Sequence, residues 1–224
     1  MDRETTVKDI DVSAVIAEGR HAIEREARGV ADVAAQLDGS FADVVRLLYT
    51  TRGRVFVTGA GTSGAIARRM AHLLAVCGTP AMFIHAADAL HGTMGAVVDG
   101  DIVIAISRGG GSREINDFCV RVKERGAQVV ALTADPTSEF ADIADAVVVL
   151  ASPPGSDPGE VIAMGSTLVT AVWGDALAYV LMRMRGYGWE SVLQTHPSGA
   201  VGQITKAPLP LAPLESPWES RGDA

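Results

Sequence analysis

The segment that most constrains the fold is V-F-V-T-G-A-G-T-S-G, which spans residues 55–64. Apolar or β-branched residues, typical of a buried strand, run into closely spaced glycines, and a helical pattern follows at once. Glycine suits such a turn because it adopts positive φ angles and lets other groups approach the backbone closely. A strand that opens a helix in this way leaves backbone N–H groups pointing at the space over the helix N-terminus, where the helix dipole favours a phosphate. The segment therefore predicts an anion-binding loop.

The same glycines also satisfy the G-x-G-x-x-G dinucleotide fingerprint, so an NAD-dependent oxidoreductase is one alternative. Such an enzyme needs room for adenosine, an acidic ribose contact after the second strand and, usually, a separate substrate domain. Asp88 is a candidate for the acid. The chain leaves no room for a second domain, and the second glycine cluster, S-R-G-G-G-S at residues 107–112, would go unexplained. This alternative is the least favoured.

Beyond residue 50, short and nearly continuous apolar runs alternate with helical patterns, which predicts a parallel sheet covered by helices on both faces. The predicted strands are Val55–Thr58, Ala81–His85, Asp101–Ile106, Gln128–Thr133 and Ala146–Leu150. In such sheets ligands bind at the C-terminal strand ends, near the point where the strand order reverses. Both glycine clusters lie at strand C-termini, after the first and third strands. We expect them to converge on one crevice.

Helices are predicted before the first strand, from Asp11 to Leu37 and from a Ser40 cap to Tyr49. We divide the chain into N-terminal helices over 1–50, a sheet domain over 51–206 and a Pro-rich tail over 207–224 that docks loosely or is disordered. The apolar run Val161–Met184 carries Asp175 near its middle, which a bilayer would penalise. It is therefore expected to be a helix buried in the core or in an oligomer interface.

Composition excludes several classes of function. The formal net charge of −8 gives no electrostatic basis for binding nucleic acid or anionic membranes. The charged N-terminus has no apolar signal-peptide core, so a cytoplasmic location is expected. The histidines, His21, His72, His85, His91 and His196, show no metal-ligand spacing with cysteines or carboxylates, so we expect no metal and no cofactor.

Five ordered motifs, G-A-G-T-S-G, H-A-A-D-A-L-H-G, S-R-G-G-G-S, G-D-A-L-A and Q-T-H-P-S-G, resemble the sugar isomerase (SIS) domain over roughly residues 38–202. Within that family the match is closest to the arabinose-5-phosphate isomerase subgroup. The tandem CBS domains common in that subgroup are not expected here, because the sequence stops soon after His196. The resemblance implies a flavodoxin-like three-layer α/β sandwich with a five-stranded parallel sheet, the SIS fold. It also implies a homodimer or homotetramer that holds a phosphosugar between the two loops.

Carried over by position, the resemblance implies a phosphate site in the two loops. Its residues would be Gly61, Thr62, Ser63, Ser107, Arg108, Gly109 and Ser112, the backbone amides of Arg108 and Gly109 included. In the competing interpretation, Ser107 and Ser112 only cap helices. Arg108 would then be only a solvated loop residue. Arg108 would otherwise pair with the ligand phosphate.

The family's catalytic set carries over only in part. Thr62 stands where the subgroup has a lysine, Gly111 replaces a glutamate of the second loop, and the glutamate expected after the fifth strand falls near Gly155. His196 does match the histidine of the family pattern S-H-P-G-G. These departures leave open whether catalysis is retained.

An aldose–ketose isomerase moves a proton between adjacent carbons through an enediol(ate), so it needs a base that works near neutral pH and a group that polarises the carbonyl. The candidates near the crevice are His196, Glu160, His91, Glu114 and Asp88. We expect His196 and Glu160 to be the proton-handling pair, with His91 as a further catalytic candidate. The alternative is that these residues have structural roles only. Glu160 and Glu114 would then interact with the helix dipole in a first helical turn, and His91 and Asp88 would make hydrogen bonds within their loop.

The sequence therefore favours a phosphosugar aldose–ketose isomerase without cofactor. The alternative is a non-catalytic phosphosugar-binding protein, either a sensor or a regulatory subunit, which the missing lysine and glutamates would explain. Hydroxyl recognition depends on a few loop side chains, so the sequence does not name the sugar.

Overall fold

A computed structural model describes residues 11–218 as an α/β fold built on one sheet. The first ten residues of the predicted N-terminal region and the last six of the predicted tail lie outside the described residues. All strand pairs are parallel, and the strand order is β2-β1-β3-β4-β5. The strands are β1 Val55–Gly59, β2 Ala81–Phe83, β3 Ile102–Ile106, β4 Gln128–Thr133 and β5 Ala146–Val149. This order confirms the predicted five-stranded flavodoxin-like sheet.

Helices cover both faces of the sheet and make three layers. They are α1 Val12–Gln36, α2 Gly39–Thr50, α3 Gly61–Val76, α4 Ala86–Ala89, α5 Arg113–Glu124, α6 Glu139–Ile143, α7 Gly165–Met184 and α8 Trp189–Thr195. Short 3₁₀ turns occupy Thr93–Ala96, Pro158–Glu160 and Val201–Gln203. One core lies between the sheet and α2, α3 and α7, around Trp173 and Leu74. The other lies under α5 and α6, around Phe118 and Phe140.

The C-terminal end of β1 and the N-terminal end of α3 lie in close contact. A Cβ atom on Gly64 would lie 2.7 Å from the carbonyl oxygen of Gly59, and one on Gly59 would lie 2.8 Å from the backbone of Ser63. Gly61, between them, has a φ of 55°. The positive φ expected of this turn is therefore found at Gly61, whereas Gly59 and Gly64 serve strand–helix packing.

The N-terminal helices differ in detail from the prediction. Helix α1 is continuous, and its N-cap is Asp11, whose carboxylate accepts hydrogen bonds from the amides of Ser13 and Ala14. Helix α2 is capped by Asp38, whose Oδ1 accepts from the Ser40 amide at 2.8 Å, so the prediction of a Ser40 cap was wrong. With a Ser40 cap the helix would begin at Phe41; it begins two residues earlier, at Gly39, which places Asp38 in the capping position.

Helix α7 is a core helix, but it begins four residues later than the predicted start at Val161. Trp173, Leu177 and Leu181 are fully buried, and the helix packs against α1, α2 and α3. By length and composition alone α7 could cross a membrane, but 56 % of its most apolar stretch is buried inside the protein. Asp175 pairs with Arg69 of α3, with Nη2 and Oδ2 2.9 Å apart. Asp175 therefore has a charged partner within the chain.

The described part of the tail docks on the body of the protein. The Trp189 indole N–H donates to the carbonyl of Leu209 at 2.9 Å, and Arg183 Nε donates to the carbonyl of Ala212 at 2.8 Å. Trp218 packs against the core. These contacts make residues 207–218 an ordered strap across the ends of α7 and α8. The division of the chain at residues 50 and 206 stays a prediction.

Candidate active site

The two glycine loops lie side by side at the C-terminal edge of the sheet. Strands β1 and β3 are neighbours in register, and Gly59 pairs with Ile106. The chain leaves these strands for opposite faces of the sheet, so the crevice sits at the point where the strand order reverses. Residues from both loops, from the end of β4 and from the start of α7 line it; they are Ser63, Ile66, Ile106, Arg108, Leu132, Thr133, Ala134, Leu150, Ala163, Ser166, Thr167 and Thr170.

The first loop presents the open N-terminus of a long helix. Gly61, Thr62 and Ser63 are the first three residues of α3, and the N-cap residue, Ala60, makes no side-chain capping hydrogen bond. The first amide with a backbone partner is that of Gly64, which donates to the carbonyl of Ala60 at 3.2 Å. The preceding N–H groups are therefore available to an anion over the helix end.

The second loop presents two serine hydroxyls. Ser107 follows β3 and is 5 % exposed; its amide donates to the Leu132 carbonyl, and within residues 11–218 its hydroxyl has no hydrogen-bond partner. Ser112 occupies the N-cap position of α5, yet its hydroxyl makes no capping hydrogen bond. Helix capping therefore does not account for Ser112, because the hydroxyl that would cap is unused. Gly110 has a φ of 66° and closes the turn between them.

Arg108 reaches from the second loop to two carboxylates in the loop after β5. Its Nη1 lies 3.1 Å from Asp157 Oδ2, and its Nη2 lies 3.6 Å from Glu160 Oε2. The Arg108 side chain is 41 % exposed. Arg108 is thus not the freely solvated residue of the competing interpretation; it ties the second glycine loop to the loop after β5.

Asp157 is a buried anchor that sequence reasoning missed. Its side chain is fully buried, and its Oδ1 accepts hydrogen bonds from the amides of Met164 at 2.8 Å and Ser166 at 3.0 Å. Burial alone would raise the pKa of Asp157, but the Ser166 amide and hydroxyl, the Met164 amide and the charge of Arg108 together hold this pKa below its ordinary value. The carboxylate lies seven residues before Met164, too far for a local capping pattern, so no sequence signal marks it.

Glu160 is held next to the position where a glutamate was expected. Its Oε1 accepts a hydrogen bond from the Gly155 amide at 2.7 Å. Its φ is 56°, and among the described residues it is the one non-glycine residue with a positive φ. A left-handed glutamate is strained, and such strain is concentrated at functional sites. Glu160 therefore brings a carboxylate to the backbone of Gly155, although its own position is five residues later in the sequence.

The remaining candidates lie outside this crevice in the single chain. His196 follows α8, and its Nδ1 lies 2.7 Å from the carbonyl of Val192 in the same helix. His91 is exposed in the turn after α4 and is not among the residues that line the crevice. Asp88 faces His85 at 3.7 Å, and Glu114 lies in the first turn of α5. The chain thus brings Ser63, Ser107, Arg108 and Glu160 together, but not His196.

No cluster of metal-binding side chains occurs within residues 11–218. The arrangement instead offers hydroxyls, open helix amides and one guanidinium to an anion, beside a carboxylate. Such a site can bind a phosphate and hold a proton acceptor near the group attached to it.

Comparison with known proteins identifies the family of this fold. The SIS domain profile matches residues 47–180. Arabinose 5-phosphate isomerase GutQ of Escherichia coli O6:H1 is 33 % identical over 189 residues, which cover 84 % of this chain and 59 % of that protein. Arabinose 5-phosphate isomerase KdsD of Pseudomonas aeruginosa is 35 % identical over 181 residues, covering 81 % of this chain and 55 % of its own length. The chain therefore spans little more than half the length of these relatives.

Among solved structures, a protein of Escherichia coli CFT073 in complex with arabinose 5-phosphate superimposes with a TM-score of 0.80 at 29 % identity. The match covers 84 % of this chain and 100 % of that one. The sequence match, the strand order and the two loops at the reversal point agree, and the chain belongs to the SIS domain family.

Proposed function

We propose that this protein is a phosphosugar aldose–ketose isomerase. It binds a sugar phosphate at the two Gly/Ser loops and shifts a proton between C1 and C2 of the open-chain sugar. The observation that carries the proposal is the convergence of two anion-type loops, with unused Ser107 and Ser112 hydroxyls, beside the carboxylate of Glu160. Relatives named arabinose 5-phosphate isomerases support this chemistry. A cytoplasmic location is part of the proposal.

In this proposal the phosphate lies over the N-terminus of α3. The Ser63, Ser107 and Ser112 hydroxyls and the amides of Gly61, Thr62, Arg108 and Gly109 donate hydrogen bonds to it. Charge-assisted hydrogen bonds of this kind fix both position and orientation. The sugar carbons then extend toward the loop after β5, where Glu160 lies.

The proton transfer is assigned to Glu160 and His196. In the aldose-to-ketose direction Glu160 takes the C2 proton and returns it to C1. The histidine donates a proton to the carbonyl oxygen on C1, which gives the enediol, and then takes the proton of the C2 hydroxyl as the new carbonyl forms. The reaction is redox-neutral and needs no external oxidant. Because His196 lies away from the crevice of its own chain, we assign it to the crevice of a neighbouring copy in a homodimer or homotetramer. His91 is the further candidate.

A non-catalytic phosphosugar-binding protein is the second candidate function. The observation behind it is that Thr62, Gly111 and Gly155 occupy positions where the resemblance predicts catalytic side chains. Both functions share the same phosphate site, so binding alone does not separate them.

The test is a panel of aldose and ketose phosphates, D-arabinose 5-phosphate among them, screened by thermal shift. Each binder is then incubated with the protein and followed for interconversion. The proposal predicts at least one phosphosugar that binds and is isomerised, whereas the same sugar without phosphate binds far more weakly. Binding of phosphosugars with no interconversion of any would support the sensor instead.

A further inference from the structure

Arg108 is the charged side chain among the crevice-lining residues described above, and it is already engaged in the free protein. Its guanidinium contacts Asp157 at 3.1 Å and Glu160 at 3.6 Å. One guanidinium facing two carboxylates leaves an excess of one negative charge at this end of the crevice. A phosphate monoester brings nearly two more at neutral pH. Phosphate binding here therefore requires a rearrangement of these charges.

Asp157 is fixed in place and is not the group that moves. Its side chain is fully buried, and its Oδ1, the oxygen that does not face Arg108, accepts hydrogen bonds from the amides of Met164 and Ser166 at the start of α7. Withdrawing it would leave those two N–H groups without partners and open the connection into a core helix. Arg108 therefore keeps Asp157 as its permanent partner.

Glu160 is the loosely held partner. Its contact with Arg108 is longer than a hydrogen bond, its side chain is 56 % exposed, and its backbone has a φ of 56°. A solvent-exposed ion pair at this distance contributes little stability. The other end of its carboxylate is fixed independently, by the hydrogen bond from the Gly155 amide at 2.7 Å. Losing Arg108 would thus leave the carboxylate in place but unpaired.

We propose that Arg108 exchanges partners when substrate binds: it leaves Glu160 and turns to the phosphate, and the Glu160 carboxylate stays on the Gly155 amide, free to face the sugar. This inference rests on the proposed function, because it assigns the phosphate to the two loops. Arg108 is then a positioning residue that couples phosphate binding to the freeing of the proton acceptor. A sugar without phosphate leaves Glu160 paired with Arg108.

The exchange is tested by a double-mutant cycle on anion binding, without any measurement of turnover. Isothermal calorimetry gives the Kd of inorganic phosphate for the full chain, Glu160→Gln, Arg108→Gln and the double variant. Removing Glu160's charge frees Arg108, so E160Q should bind phosphate about 5-fold or more tightly, in the range typical of coupled sites. In the R108Q background the same change should alter the Kd by less than about 2-fold, since there is no arginine left to free.

Glu114→Gln is the matched control, because it removes the same charge from the first turn of α5 beside the phosphate loop. We expect E114Q to lower the Kd of phosphate by a smaller factor than E160Q does. This smaller factor should be the same in the parent and in the R108Q background. Thermal unfolding of each variant checks that it is folded; E160Q retains the Arg108–Asp157 pair.

If E160Q binds phosphate no more tightly than the parent, the exchange is overturned. It is also overturned if E160Q lowers the Kd by the same factor with and without Arg108, which would indicate only a long-range charge effect. If neither the parent nor E160Q binds phosphate, both the exchange and the proposed anion site fall. If the cycle shows the predicted coupling but no phosphosugar is turned over, the exchange stands and the proposed isomerase activity fails.

Discussion

Among single residues, Ser107 and Ser112 carry the hydroxyls on which the proposed phosphate site depends. Within residues 11–218 neither the Ser107 nor the Ser112 hydroxyl has a hydrogen-bond partner, although Ser107 is almost completely buried. Replacing either by alanine should weaken phosphosugar binding by about 1–3 kcal/mol, the usual range for a hydrogen bond to a charged group. Calorimetry with the phosphosugar found in the screen measures this loss. Ser40→Ala on α2 is the control and should leave the Kd unchanged.

Parent-like binding by both S107A and S112A would contradict the placement of the phosphate. A loss for one serine alone would restrict the site to that side of the loop. These two variants therefore test the position of the anion, independently of any chemistry performed on it.

The proton-handling residues are tested by turnover. Glu160→Gln and His196→Asn each remove a group that can exchange a proton and change little in size. Loss of a general acid or base typically lowers the rate 10²–10⁴-fold, so each variant should lower kcat far more than it raises KM. Steady-state kinetics on the identified substrate measures both constants. Should turnover survive both substitutions, His91 and Glu114 become the residues to replace.

At the scale of elements, the loop after β5 and helix α7 are joined through one carboxylate. Burial opposes the ionisation of Asp157, yet the Ser166 amide and hydroxyl, the Met164 amide and Arg108 lower its pKa in the folded protein. A group with a depressed folded pKa stabilises the fold above its unfolded pKa, and this stabilisation is lost as the pH falls through the folded pKa. Its contribution is therefore present at neutral pH and is lost on acidification below about pH 4.

Asp157→Asn should consequently be less stable than the parent at pH 7, by about 1–3 kcal/mol for weakened charge-assisted hydrogen bonds. The difference should shrink as the pH falls toward 3, because the parent then loses the same charge. Urea unfolding at several pH values gives both free energies. A difference that is constant between pH 7 and pH 3 would show that the carboxylate charge plays no part. Asp135→Asn, a carboxylate in an exposed turn, is the control and should change the profile less.

Element positions could be predicted from periodicity because each signal is local. The predicted β4 matches the observed strand at both ends, and the other strands differ by one or two residues. The largest boundary error, four residues at the start of α7, occurred where a group distant in sequence determines the helix start. Helix α7 starts at Gly165 and not at Val161, because Asp157 supplies its cap from outside the helix.

The candidate site was predictable to a similar extent. The glycine loops and their serines carry their own sequence signal, so their convergence could be predicted from the order of strands. The pairing of Arg108 with Asp157 could not, since it joins loops 49 positions apart and neither residue has a distinctive neighbour pattern. That Glu160 reaches Gly155 depends on a left-handed turn at a non-glycine residue, which no propensity favours.

At the scale of the whole molecule, the surface expected to drive self-association is not the one first identified. The sequence left open whether the apolar run 161–184 is buried in the core or in an oligomer interface, and α1, α2 and α3 cover α7 within the chain. Exposed apolar side chains instead recur on the first half of α1, at Val12, Val15, Ile16 and Ile23, and before α7, where Val161 is 84 % exposed.

An exposed apolar stripe on a helix is typical of an interface, so we expect a homodimer or homotetramer. Sedimentation at micromolar concentration should show that species for the parent, and Ile23→Glu should shift it toward the monomer. Val120→Glu, on an exposed position of α5, is the matched control and should not. A well-behaved parent monomer would contradict self-association and, with it, the assignment of His196 to a neighbouring crevice.

The central claim is that this protein moves a proton between adjacent carbons of a phosphosugar. The most direct measurement is ¹H NMR of the panel, D-arabinose 5-phosphate first, incubated with the protein in deuterated water. We predict loss of the C1 or C2 proton signal of at least one phosphosugar, together with the appearance of signals of its aldose or ketose isomer. Both changes should be strongly slowed in Glu160→Gln. Phosphosugars that bind but exchange neither proton, across the whole panel, would contradict the isomerase and leave a phosphosugar-binding protein.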